Sequence, residues 1–175
     1  DLRMSRGLGD VYKRQLYFLD LIAPYAPAKL LKSKFSDILV RVAPALTNGS
    51  ADAPLVRSSI GFLESLLLAQ DLKSWSNPGN YKVSPKRALS ALLDLSLDPR
   101  PKVRKRAQEA ILKILENIPN ANSAKGKQNE HPAAIYSSEF ALNNLISLIN
   151  NSQPEKNSTD AKEKNPQIIH NLQLI

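Results

Sequence analysis

Five stretches of the chain repeat their apolar residues every three or four positions, the spacing of a helix with one buried face. In Ala28–Ala45 the inward positions are Leu31, Phe35, Ile38, Leu39 and Val42, and Lys29, Lys32 and Lys34 turn outward. Ser84–Leu97 turns Leu89, Leu92, Leu93 and Leu97 inward, while Ala133–Ile149 has Ile135, Phe140, Leu142, Leu145 and Ile149 as its apolar set. The cleanest stripe lies in Asp98–Leu115, formed by Val103, Ala107, Ala110, Ile111, Ile114 and Leu115. Pro54–Gln70 is different. Val56, Ile60, Leu63 and Leu67 make one stripe, Phe62 and Leu66 a second beside it, and only Arg57 and Glu64 carry charge. A helix apolar on two sides lies between neighbours. Its small residues Ser58, Gly61 and Ser65 leave room for one of them to come close. These patterns predict helices over 28–46, 53–70, 84–97, 100–117 and 133–150. Pro54, Pro85 and Pro101 stand in first turns, where a proline loses no helical hydrogen bond, and Asp98 is a candidate cap.

The helices repeat. Pro54-Leu55-Val56-Arg57 and Pro101-Lys102-Val103-Arg104 share P-x-V-R at an offset of 47 residues, and an aspartate (Asp52, Asp98) precedes each. Two helices in a unit of ~40–47 residues is the signature of HEAT and armadillo arrays. The fold class is therefore all-α, an α-solenoid of antiparallel helix pairs. Such arrays use an arginine of this kind to reach aspartates of adjacent repeats, so Arg57, Arg104, Asp52 and Asp98 read as a structural ladder. The repeats occupy 16–150. Residues 1–15 (DLRMSRGLGDVYKRQ) carry two glycines and no helical stripe, and read as an adaptor-like leader of non-native origin. Residues 151–166 have the composition of a flexible polar insertion, and 167–175 open a further, truncated helix.

Composition supports helices over sheet, because 42% of the 175 residues are hydrophobic while only 6% are aromatic. No cysteine is present, which excludes disulfides and thiolate metal sites. No apolar run is long enough to span a membrane. Asn48-Gly49-Ser50 and Asn157-Ser158-Thr159 match the glycosylation triplet, but no secretory signal accompanies them. There is no phosphate loop, no nucleophile elbow and no histidine pair at metal-ligand spacing. His131 and His170 read as surface residues, and Trp75 as an anchor packed onto its own helices instead of a base-stacking platform. The expectation is a non-enzymatic protein with no cofactor and no bound metal.

Charge changes the picture. The chain carries +8, and the window 82–113 holds nine basic residues against three acidic ones. Concentration of charge on one repeat is what an anionic partner requires. On a helical wheel Arg104 sits at the edge of the apolar stripe, while Lys102, Lys105, Arg106 and Lys113 cover the opposite arc. Lys86 and Arg87 on the preceding helix extend it. Long cations with no aromatic residue among them suit phosphates, not bases. Four contacts to single-stranded RNA would give a salt slope of about −3. Glu109 stands at favourable helical spacing from Lys113, the ordinary alternative of a solvated, internally paired surface.

Three segments, IAPYAPAKLLKSKFSDIL, APLVRSSIGFLESLLLAQD and RALSALLDLSLDPRPKVRKRAQEAILKIL, resemble the N-terminal HEAT region of the ribosomal RNA-processing protein Twelve family, with HPAAIYSSEFALNNL following in order. The resemblance runs from about Leu19 to Leu145, and DPRPKVRKRAQEA is its most specific part. It implies a nuclear and nucleolar protein that binds precursor ribosomal RNA and helps assemble, process and export precursor subunits, with nuclear transport factors among its partners. The alternative is a protein-interaction solenoid, a transport receptor or scaffold for acidic proteins. One prediction follows from the stripe itself. Val103→Asp places an unpaired carboxylate in the core and costs several kcal/mol in chemical denaturation, whereas Lys105→Glu leaves stability nearly unchanged.

Overall fold

The computed structural model describes residues 2–47, 51–76, 83–117 and 131–151. All regular structure among them is helical: α1 (Leu2–Ile22), a 3-10 turn (Ala23–Tyr25), α2 (Ala28–Ser33), α3 (Phe35–Thr47), α4 (Ala53–Leu68), α5 (Leu72–Ser76), α6 (Pro85–Leu95), α7 (Pro101–Glu116) and α8 (Pro132–Asn151). The predicted helix over 28–46 is two helices. Lys34 sits between them at φ −101° and ψ 5°, and its N–H still donates to Leu30 O at 3.1 Å. Ser84 caps α6 by accepting from the Arg87 N–H at 3.2 Å. Asp98 is not the cap expected of it. Arg100 takes the N-cap position of α7, and Asp98 accepts from the Arg100 N–H (2.8 Å), Nε (2.8 Å) and Nη2 (2.7 Å). Those bonds hold the Asp98 carboxyl below the usual carboxylate range, the Arg100 side chain contributing most.

The helices form two layers. At the start of α7, Arg100 Nη1 donates to Ala51 O (2.6 Å), next to the start of α4; at its end, Asn117 Nδ2 donates to Leu68 O (3.4 Å), the end of α4. Like ends therefore meet, and α4 and α7 run parallel. The same holds for α1 and α4, because Lys13 pairs with Asp52 and Asp20 lies against Gly61. Helices α1, α4 and α7 make the inner layer. Helices α3, α6 and α8 make the outer one, with α3 packed on α6 and α6 on α8. Residues 48–52 join α3 to α4 and residues 96–100 join α6 to α7, and links this short turn each pair into an antiparallel hairpin. Between the layers Val56, Ile60, Leu63, Leu66, Leu67, Leu89, Leu92, Leu93, Val103, Ala107, Ala110 and Ile114 are all but removed from water.

Residues 1–15 were expected to lie outside this pattern. Instead α1 runs unbroken through them from Leu2, and the Tyr12 hydroxyl donates to Arg41 O at 2.7 Å. The stripe of α1 is Tyr12, Leu16 and Leu19, continued by Ala23 of the 3-10 turn, and it straddles the boundary at Gln15. Helix α1 is an inner-layer helix without the P-x-V-R signature.

The stretch between the helices predicted over 53–70 and 84–97 contains α5. Asp71 pairs with Lys32 and accepts from the Ser74 hydroxyl (2.7 Å) and N–H (2.9 Å), and these bonds, Lys32 contributing most, push its carboxyl far below the usual range. Trp75 is wholly buried, the anchor it was expected to be. His131 corrects its surface assignment: it is buried, edge-on to Trp75 with centroids 4.9 Å apart. Its Nδ1 accepts from the Ala133 N–H at 3.0 Å, so the ring is neutral. Helix α8 also departs from its pattern, burying Ala133, Ser137 and Ala141 while Ile135, Leu142, Ile146 and Ile149 face outward. Both glycosylation triplets, His170, the polar insertion beyond Asn151 and the segment 167–175 lie outside the described residues.

Burial lowers the His131 pKa below its ordinary value of 6.5. The unfolded chain then binds the proton more readily, so this residue's contribution to stability is complete above about pH 6.5 and is lost as pH falls below it. Urea denaturation at about pH 7.5 and 5.5 should show a smaller acid loss for His131→Gln than for the parent chain, although the variant is less stable at the higher pH.

Candidate nucleic-acid interface

The arrangement of the basic residues follows from how α7 is held. Arg104 turns back onto the loop before its own helix, donating from Nη1 to Asp98 O at 2.9 Å. Arg57 is exposed on α4. The expected ladder of Arg57 and Arg104 onto Asp52 and Asp98 is therefore corrected: Asp98 holds Arg100, Asp52 holds Lys13, and Arg104 meets a backbone carbonyl. The tie between repeats at this edge is Arg100 on Ala51 O.

The four cations predicted on one arc divide into two pairs. Lys102 and Lys105 are exposed near the start of α7. Lys105 Nζ stands 4.0 Å from Glu109 Oε1, both well solvated, so that pair contributes little. Glu109 meets Lys105 and not Lys113. Arg106 and Lys113 instead point at α4, where both reach one carboxylate: Arg106 Nη1 to Glu64 Oε2 at 2.5 Å and Lys113 Nζ to Glu64 Oε1 at 3.1 Å. The Glu64 side chain is only 9% exposed, against 23% for Arg106 and 59% for Lys113. Lys86 and Arg87 begin α6, which runs antiparallel to α7, so they lie about 16 Å from the Lys102 end, one helix length away.

A second carboxylate joins from the other side. Asp20 Oδ1 occupies the space a Cβ on residue 61 would need, and Arg106 Nη2 stands 2.8 Å from that same point. Only glycine leaves α4 bare enough for side chains of α1 and α7 to meet across it. Burial raises the Asp20 pKa, and Arg106 and Arg57 counter this by favouring its charged form. The middle of the inner layer is thus a charge centre spanning three helices, with Asp20 and Glu64 facing Arg106 and Lys113. Burying Glu64 costs several kcal/mol, which only close cations offset; removing a partner from such a pair costs about 3–5 kcal/mol. Sequence reasoning missed Asp20 and Glu64 as site residues. The available signal was a single acid inside an apolar run, LYFLDLI in one case and the two-sided helix in the other, because a buried acid must have a partner. Among the described residues no cluster of His, Asp or Glu has metal-binding geometry.

Parallel inner helices, antiparallel outer ones and side-chain ties from each repeat to the next define a HEAT-type α-solenoid. A family model for RRP12-like, N-terminal HEAT repeats matches residues 8–175, and the chain belongs to that family. It is 44% identical over 164 residues to ribosomal RNA-processing protein 12 of Saccharomyces cerevisiae, covering 91% of this chain and 13% of that protein. The putative ribosomal RNA-processing protein 12 of Schizosaccharomyces pombe is 32% identical over 151 residues, 86% of this chain and 12% of its own length. The human RRP12-like protein is 28% identical over 131 residues, 74% of this chain and 10% of its own. The chain thus spans a small part of each of these relatives. No solved structure matches it.

The glycine contact gives a double-mutant test. Gly61→Ala gains up to about 1 kcal/mol of helix propensity but displaces the Asp20 carboxylate, for a net loss of about 1–2 kcal/mol. In an Asp20→Ala background only Arg106 Nη2 still crowds the new methyl, so the same change should cost clearly less. Thermal denaturation of the four chains reads the coupling between the two positions.

Proposed function

We propose that this chain is a non-enzymatic scaffold segment acting in ribosome biogenesis, in the nucleus and nucleolus, and that it contacts precursor ribosomal RNA through the start of α7. The names of the relatives support the process. The RNA contact rests on one observation: Lys102 and Lys105 are solvent-facing cations on the inner layer, within a window carrying six more basic than acidic residues. They neutralise phosphates without reading bases. Arg106 and Lys113 serve as the clamp between repeats, and Lys86 and Arg87 form a separate basic spot at the far end of the hairpin. Participation in subunit assembly and export, with pre-ribosomal particles and nuclear transport factors as partners, belongs to the same reading.

Fluorescence anisotropy with labelled oligouridine tests it. Two phosphate contacts to single-stranded RNA give a slope of log affinity against log salt of about −1.4. Lys102→Glu with Lys105→Glu should abolish most binding at moderate salt and leave the helical circular dichroism signal intact. Unchanged affinity in that folded double variant overturns the RNA contact. Nuclease-resistant retention on the chain of acidic proteins, lost with the same two substitutions, favours the protein-binding scaffold instead.

A further inference from the structure

We infer that Glu64 occupies the anion seat between Arg106 and Lys113 and so sets how many RNA phosphates the inner face holds; this rests on the RNA reading above. Four basic side chains leave α7 on its inner-layer side or toward α4, enough for four phosphates. Glu64 takes two of them, with one carboxylate oxygen for each cation, at 2.5 and 3.1 Å. A carboxylate held by a guanidinium on one oxygen and an ammonium on the other is placed as a phosphate would be, since both anions offer paired oxygens to the same donors. The seat is filled from inside the protein.

The two cations are not held equally. Arg106 also faces Asp20 across Gly61, and its side chain is 23% exposed, so it is locked between two helices. Lys113 has a single partner, the longer of the two bonds, and is 59% exposed. Lys113 is therefore the cation within reach of an incoming phosphate, which must outcompete Glu64 to hold it. Lys102 and Lys105 carry no such internal competitor beyond the solvated Glu109. The face has two tiers, one always open and one gated by an acid on the neighbouring repeat. Glu64 is a positioning residue in this scheme, acting on RNA only through the cations it holds.

The test uses Glu64→Gln in the full chain with labelled oligouridine, over a salt series. The glutamine keeps the shape and removes the competing charge, which frees Lys113 while Asp20 still holds Arg106, so the slope should steepen from about −1.4 toward about −2.1 and low-salt affinity should rise. Glu64→Asp keeps the charge but shortens the reach, so it should steepen the slope in the same direction by less than the glutamine does, and it serves if the glutamine variant loses its helicity. Slopes matching the parent chain in the folded variants overturn the gating while leaving the RNA reading in place. A parent chain that binds no RNA removes that reading, and the gating with it.

Discussion

A carboxylate withdrawn from water must be met by charge, and meeting it fixes where its neighbours stand. Glu64 sits in the last third of α4, the helix covered by neighbours on both flanks and from the outer layer. Arg106 and Lys113 are seven residues apart on α7, two helical turns, and both converge on this one side chain. Sliding α7 along α4 by a turn would break at least one bond and strand a buried acid. Apolar stripes tolerate a range of registers, since one leucine fits a groove much like another. The ion cluster admits one. It explains why a leucine-rich core, which supplies most of the stabilisation, comes with a defined stacking offset between repeats.

Gly61 extends this constraint to the third helix. With no side chain there, α1 brings Asp20 down to the backbone of α4 and into the field of Arg106. The result is continuity of polar contact along the inner layer, from α1 through α4 to α7, under a surface that is otherwise apolar or solvated. At the two edges, backbone carbonyls do the same work: Ala51 O receives Arg100 and Leu68 O receives Asn117. The α4 repeat is thus tied to the α7 repeat at its start, at its end and, through Glu64, between them.

Much of the fold was legible because the signals are local. The P-x-V-R pair, the prolines in first turns and the stripes of Val56 and Val103 each report one helix, and α4, α6 and α7 lie close to where these place them. The outward positions of Lys102 and Lys105 were legible for the same reason. Partners across helices were not. A helical wheel puts Arg106 and Lys113 on the polar arc of α7, and that arc does face away from α7's own core, but it faces Glu64 of a helix some 45 residues earlier. The wheel has no means of seeing a neighbour. His131 was hidden likewise: it sits beside a polar stretch in sequence and beside Trp75 in space. Helix α1 was hidden because its glycines and the boundary at Gln15 concealed a stripe that includes Tyr12, Leu16 and Leu19.

The ties between repeats bear on cooperativity. In a linear stack each unit touches only its neighbours, so stability is a sum of unit terms and interface terms, and melting is all-or-none only while the interfaces are strong. Here the ion pairs of the α4–α7 interface converge on one carboxylate. Loosening it leaves two hairpins, each with a buried seam of its own, joined mainly by apolar contact. The array would then come apart in steps along its axis, and Glu64 is the point at which the chain passes from behaving as one folding unit to behaving as two.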